Sequence, residues 1–144
     1  METRTTNSFV KAKKELELYK LKITEVRILS EKITKLEREI NTAGGSAISI
    51  PEGGNLNSMS SKIAYLADMK NNFNDKLHDA ETYLLLIDNK ISKLSKEHSH
   101  YLTMRYIMLS SPVEIARQDC YSPGHVRRKI LEAVHEYAKL YFPE

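Results

Sequence analysis

Residues 56–101 read LNSMSSKIAYLADMKNNFNDKLHDAETYLLLIDNKISKLSKEHSHY. Leu56, Met59, Ile63, Leu66, Lys70, Phe73, Leu77, Ala80, Leu84, Ile87, Ile91, Leu94, His98 and Tyr101 recur on a strict three-four alternation, and only Lys70 and His98 among them are polar. A repeat of this period places an apolar stripe along one side of an α-helix and asks for a partner helix to cover it. At a rise of ~1.5 Å per residue the predicted helix is ~65 Å long, too long to bury its stripe alone. The solutions are a hairpin with another segment of this chain, a dimer with a second copy, or both. A lone Lys in such a seam costs stability and sets register or oligomer state.

Working outward, a second seam lies before the first. Phe9, Ala12, Leu16, Tyr19, Ile23, Val26, Ile33 and Ile40 follow the same spacing, with Ser30 and Glu37 as polar interruptions and Asn7 or Ser8 available as a cap. Between the two seams, at about 41–55, lie four of the five glycines of the chain, in Gly44-Gly45 and Gly53-Gly54. No Lys-Ser/Thr follows them at a helix start, so the phosphate-cradling arrangement of a P-loop is missing and a connector is expected. Apolar content of 41% with 28% charged residues suits long helices with narrow stripes better than a thick mixed core. The expected fold is all-α: a long N-terminal helical hairpin or coiled coil (1–98) followed by a small helix-turn-helix domain (99–144).

After His98 the pattern changes to a dense apolar and aromatic patch, Tyr101 to Leu109. Ser110-Ser111-Pro112 then starts a short amphipathic helix over Val113–Cys120, since Ser caps a helix and Pro suits its first turn. Ser122-Pro123 repeats the signal for a last helix from Pro123 to Tyr141. Ile115, Ala116, Val126, Ile130, Ala133, Val134 and Tyr137 form the facing apolar sides, with small Ala116 allowing close approach. Cys120 sits at the turn, where Gly is usual. The opposite side carries Ser122, Gly124, His125, Arg127 and Arg128, with Lys129 at its edge, on the half of a helix that enters a major groove in such motifs. Arg reads guanine bidentately or neutralises phosphate, and Arg117 and Gln118 on the first helix are placed for the DNA backbone.

The stretch Tyr101-Leu102-Thr103-Met104-Arg105-Tyr106, Glu114-Ile115-Ala116, Tyr121-Ser122 and Val126-Arg127-Arg128 resembles region 4 of bacterial sigma factors. It is closer still to small phage and prophage regulators of the RinA/ArpU type, and Met59-Ser60-Ser61-Lys62-Ile63 after the Gly-rich stretch is similar to that group too. The resemblance covers about the last 45 residues in sequence and the rest in architecture. It implies sequence-specific binding of double-stranded DNA at promoters of phage late genes, contact with bacterial RNA polymerase, and a place in the host cytosol. Asp119, Cys120 and Lys129 depart from the pattern, and Ile130 with Leu131 is expected to carry the packing instead.

Other chemistries find no support. The one cysteine, Cys120, leaves no internal disulfide and suits a reducing cytosol. The first eight residues have no apolar core of a signal peptide, and the longest apolar run, Tyr83–Ile87, is far short of a membrane span. His98 and His100 stand two apart, on nearly opposite sides of a helix, and do not chelate together. No nucleophile with a base, no paired carboxylates and no cofactor motif appears, so neither an enzyme nor a bound metal or cofactor is expected. Two readings remain: a DNA-binding regulator, expected to form a homo-oligomer through the helical region, and a coiled-coil adaptor whose C-terminal unit binds protein.

Overall fold

The computed structural model describes residues 7–45 and 56–144, with the side chains of 43–45 and 56–59 left aside. The fold is all-α, without a strand among the described residues. Helices α1 (Asn7–Gly45) and α2 (Leu56–Ser92) are long. They are followed by α3 (Lys96–Leu102), which passes straight into a π-helical turn (Thr103–Ile107), then α4 (Pro112–Asp119) and α5 (Pro123–Tyr141). α1 continues through Gly44 and Gly45, beyond the end expected at Ile40, and the rest of the Gly-rich connector lies outside the described residues. No helix among the described residues is long and apolar enough to cross a membrane.

The chain forms two compact units: Thr24–Thr82, and Met1–Ile23 together with Tyr83–Glu144. Each of the two long helices therefore serves both. This division differs from the cut expected at residue 98, because the C-terminal helices do not close a core by themselves. Phe9, Ala12, Leu16 and Tyr19 of α1 and Ile87 and Ile91 of α2 are buried in one cluster with residues of α3, α4 and α5.

In the unit Thr24–Thr82, α1 and α2 run antiparallel. Leu29, Ile33 and Leu36 are buried on α1, and Leu66 and Ala80 on α2. The α1 stripe thus differs from the expected one: Leu29 and Leu36 occupy the seam in place of Ser30 and Glu37. Between Tyr19 and Leu29 the repeat drops one four-residue step, which turns the buried stripe round α1 and leaves the expected seam residue Ile23 39% exposed. Glu37, rotated off the seam, meets the other polar interruption, Lys70, at 3.2 Å. The Lys32 ammonium lies 5.4 Å from the ring centre of Phe73.

In the other unit the same two helices pair again, and α3, α4 and α5 close over them. From Ile63 the α2 seam holds to its last member, Tyr101, but not as one helix, while the side chains of Leu56 and Met59 lie outside the described residues. Lys93 and Leu94 close tight i→i−3 hydrogen bonds onto Lys90 and Ile91, at 3.4 and 3.1 Å, and end α2. Ser95 then caps α3, its hydroxyl oxygen accepting the His98 N–H at 3.2 Å. Ser99 donates its hydroxyl to the Ile91 carbonyl at 2.5 Å, pinning the corner. The alternation runs through the break in phase, so hydrophobic spacing alone passes over it.

Candidate nucleic-acid interface

Helices α4 and α5 are built by paired local signals. Ser111 and Ser122 are extended, and each hydroxyl accepts the backbone N–H three residues on, from Glu114 and His125, both at 3.2 Å. Pro112 and Pro123 occupy the first helical position after each cap, where a missing N–H is harmless. The turn between them rests on Cys120, at φ 63° and ψ 39°, the left-handed conformation that Gly adopts most cheaply. With Cys120 in that state, the Tyr121 N–H reaches back to the Ala116 carbonyl at 2.9 Å and closes the end of α4.

Ile115 and Ala116 of α4 are buried against Val126, Ile130, Ala133, Val134, Tyr137 and Ala138 of α5. Leu131 departs from expectation. It is 44% exposed, because one further residue turns about 100° round the helix and carries it off the face Ile130 shares with Val126 and Val134. Asp119, standing where an apolar residue is usual in such motifs, is half-buried and engaged: its Oδ2 lies 2.7 Å from His100 Nε2, tying α4 to α3.

The side of the motif away from this core holds the sequence-selected residues in unequal states. Arg117, Gln118, Ser122, Gly124, Arg127 and Arg128 are exposed. No ion pair engages Arg117, Arg127 or Arg128 among the described residues. A Cβ added at Gly124 meets nothing within 4 Å, so the first turn of α5 is open to approach. His125 is half-buried and stacks on Tyr121, ring centres 4.4 Å apart. Lys129 is already committed, at 2.7 Å to Glu97 of α3 and 3.5 Å to Glu132. Its hydrogen bond, then its charge, hold the Glu97 carboxyl below the usual carboxylate range. Among the described residues Arg127 and Arg128 are thus the uncommitted cations of the first half of α5, with Lys129 serving as a brace.

One cluster was not foreseen from the sequence. The Glu15 carboxylate accepts from Lys90 at 3.0 and 3.2 Å and from the Tyr137 hydroxyl at 2.6 Å, while the Glu15 carbonyl accepts the Tyr83 hydroxyl at 2.9 Å. Tyr141 donates to the Lys90 carbonyl at 2.7 Å, and its ring centre lies 5.1 Å from the Lys90 ammonium. Burial, followed by the hydrogen bond to Glu15, pushes the Tyr137 phenol far above its ordinary range. Through these contacts α1 and α2 hold the C-terminal half of α5 and so aim its N-terminal half. The only trace in the sequence is that Glu15 and Lys90 adjoin the seam residues Leu16 and Ile91.

Charge is divided unevenly. Met1–Ile23 with Tyr83–Glu144 carries fifteen Lys and Arg against ten Asp and Glu, whereas Thr24–Thr82 carries seven against nine, so the basic excess belongs to the unit with the helix-turn-helix. Comparison with family models, with curated proteins and with solved structures returns no match.

Proposed function

We propose that this chain is a sequence-specific DNA-binding transcriptional regulator of the RinA/ArpU type, phage- or prophage-encoded, acting on late-gene promoters in the bacterial cytosol and contacting RNA polymerase there. The observation that carries the reading is the N-terminal half of α5: capped by Ser122, sterically open at Gly124, and presenting Arg127 and Arg128 without an anionic partner among the described residues. Such a helix end offers backbone N–H groups to phosphate and Arg to base edges. Arg117 and Gln118 on α4 would follow the DNA backbone, with the Tyr121–His125 ring pair beside the first turn of α5. A homo-oligomer would set two such helices on half-sites separated by turns of the duplex.

The test is fluorescence anisotropy with a labelled random-sequence duplex at low salt, beside an Arg127→Ala/Arg128→Ala double variant of unchanged helicity. Micromolar or tighter binding is expected, weakened about tenfold or more in the variant and falling steeply with added salt. No binding by the native chain at low salt would remove the reading.

A second reading, a coiled-coil adaptor, has its own observation: Leu21 and Leu85 are 62% and 69% exposed. Under it, Leu85→Ser abolishes partner binding and Arg127→Ala leaves it intact, the opposite of the DNA reading.

A further inference from the structure

On the unit that carries the helix-turn-helix, two adjoining hollows of about 190 and 360 Å³ share Lys13, Arg105 and Tyr106 as common walls. Phe9, Ile130, Leu131 and Val134 floor the first, and Leu16 and Leu109 the second. The rim is basic. Lys13, Arg105 and Arg127 are exposed there and make no ion pair among the described residues, Arg105 having only a 3.5 Å contact with the Ser110 carbonyl. Lys20 also lines it, and Glu17 is the one carboxylate among the lining residues. The π-helical turn delivers Arg105 and Tyr106 to this place; such turns insert an extra residue and re-aim side chains at a cost in hydrogen-bond geometry.

Leu109 adds an independent observation. It sits at φ 59°, a left-handed conformation that strains a side-chain-bearing L-residue, and it is 47% exposed on the groove. Gly or Asn would remove the strain, and a polar side chain would remove the exposed apolar surface. A leucine held in this state makes physical sense as a contact surface that is covered in a complex.

We propose that this groove docks an acidic amphipathic helix of a partner protein, its apolar side chains entering the two hollows and its carboxylates facing Lys13, Arg105 and Arg127. An apolar floor with a cationic rim favours such a helix over a nucleic-acid backbone, which offers phosphates but nothing for the floor to cover. The docking is additional to the DNA reading, and Arg127 stands at the border of the two surfaces.

The probe is a ~16-residue helical peptide with Leu at i, i+3, i+4 and i+7 and Glu at the remaining positions, titrated into the full-length, isotopically labelled chain. Saturable amide shifts at Arg105, Tyr106, Leu109 and Leu131 are expected, with a Kd of about 10–100 µM that weakens as NaCl rises from about 0.05 to about 0.5 M. Leu109→Ser/Leu131→Ser should weaken peptide binding about tenfold or more and leave duplex binding within about twofold. A peptide with Ser in place of Leu, and one with Lys in place of Glu, should not bind. Native helicity and Tm in the variant exclude a folding defect. No shifts with the Glu peptide at about 1 mM overturn the proposal. Equal binding of the Ser-substituted peptide, or shifts at these residues produced by duplex DNA alone, would overturn it in favour of a purely electrostatic nucleic-acid surface. Because the peptide arm contains no DNA, its failure and a failure of the DNA reading are scored separately.

Discussion

The same two helices are used twice, and the two uses differ in depth. In Thr24–Thr82 they have only each other: Leu29, Ile33 and Leu36 retain 6–8% exposure, and Ile63, Phe73 and Leu77 are half-buried. In the other unit three more helices close over them, and Ala12, Leu16 and Ile87 fall to zero exposure. A two-helix seam leaves the flanks of larger stripe residues such as Phe73 and Leu77 in water, whereas a third layer removes those flanks. The polar contacts follow the same division. Glu15–Lys90 lies inside a ring of tyrosines, with side chains 16% and 20% exposed, and Glu37–Lys70 lies open at 48% and 32%.

The comparison is broken or sharpened first by truncating one leucine in each unit. Leu16→Ala should destabilise by about 2–5 kcal/mol and Leu36→Ala by no more than about half of that, because a seam of two helices can relax around the loss more readily than a five-helix cluster. Seven of the eight tyrosines lie in the unit containing Leu16, so tyrosine fluorescence in urea reports on that unit while far-UV circular dichroism reports on both. Equal costs would mean that the two-helix seam is covered in solution by something else, a second copy foremost. The next largest effect is expected at the ion pairs. Glu15→Ala strips the Tyr137 hydroxyl and Lys90 of their acceptor and should cost about 1–3 kcal/mol, whereas Glu37→Ala should cost about 0–1 kcal/mol. Measuring each in a double-mutant cycle with its lysine isolates the pair, and a larger coupling for Glu37 than for Glu15 would reverse the ranking.

A separate effect is alkaline. Burial, with the 2.8 Å hydrogen bond to Asp88 and that carboxylate's charge, pushes the Tyr19 phenol up to about 12 from its ordinary value of 10.0. Unfolded, the group loses its proton near 10; folded, it keeps it to about 12. The unfolded state therefore binds fewer protons across that window, so the contribution is fully present below pH 10 and is lost as pH rises through 12. The urea midpoint read by the absorbance of ionised phenols should fall from pH 10 upward, and Tyr19→Phe should flatten the fall.

What was legible in the sequence follows the range of the interaction. The all-α class, the α2 stripe from Ile63 to Tyr101, and the caps at Ser111 and Ser122 are local or periodic, and each stands where spacing and side-chain chemistry place it. The α1 frame slip was misread because Leu29 and Leu36 each lie one residue from a polar residue at the expected position. The break at Lys93–Ser95 was hidden because the heptad crosses it in phase. Among the candidate contacts, the exposure of Arg127 and Arg128 follows from helix periodicity. The engagement of Lys129 with Glu97, and of Asp119 with His100, joins elements that no local pattern relates. The burial of residues 9–19 against α5 is a pairing across more than a hundred residues, and nothing in either stretch announces the other.

That pairing has a consequence for how the protein is made. During synthesis, the stretch from Phe9 to Ile23 leaves the ribosome about sixty residues before Tyr83, where the rest of its unit begins. At roughly 5–20 residues per second, Phe9, Leu16 and Tyr19 wait several seconds as the bare stripe of a lone helix. α5 emerges later than α1 and folds onto a surface that α1 has already exposed. A chain cut short before α5 leaves that stripe uncovered for good, open to chaperones and proteases.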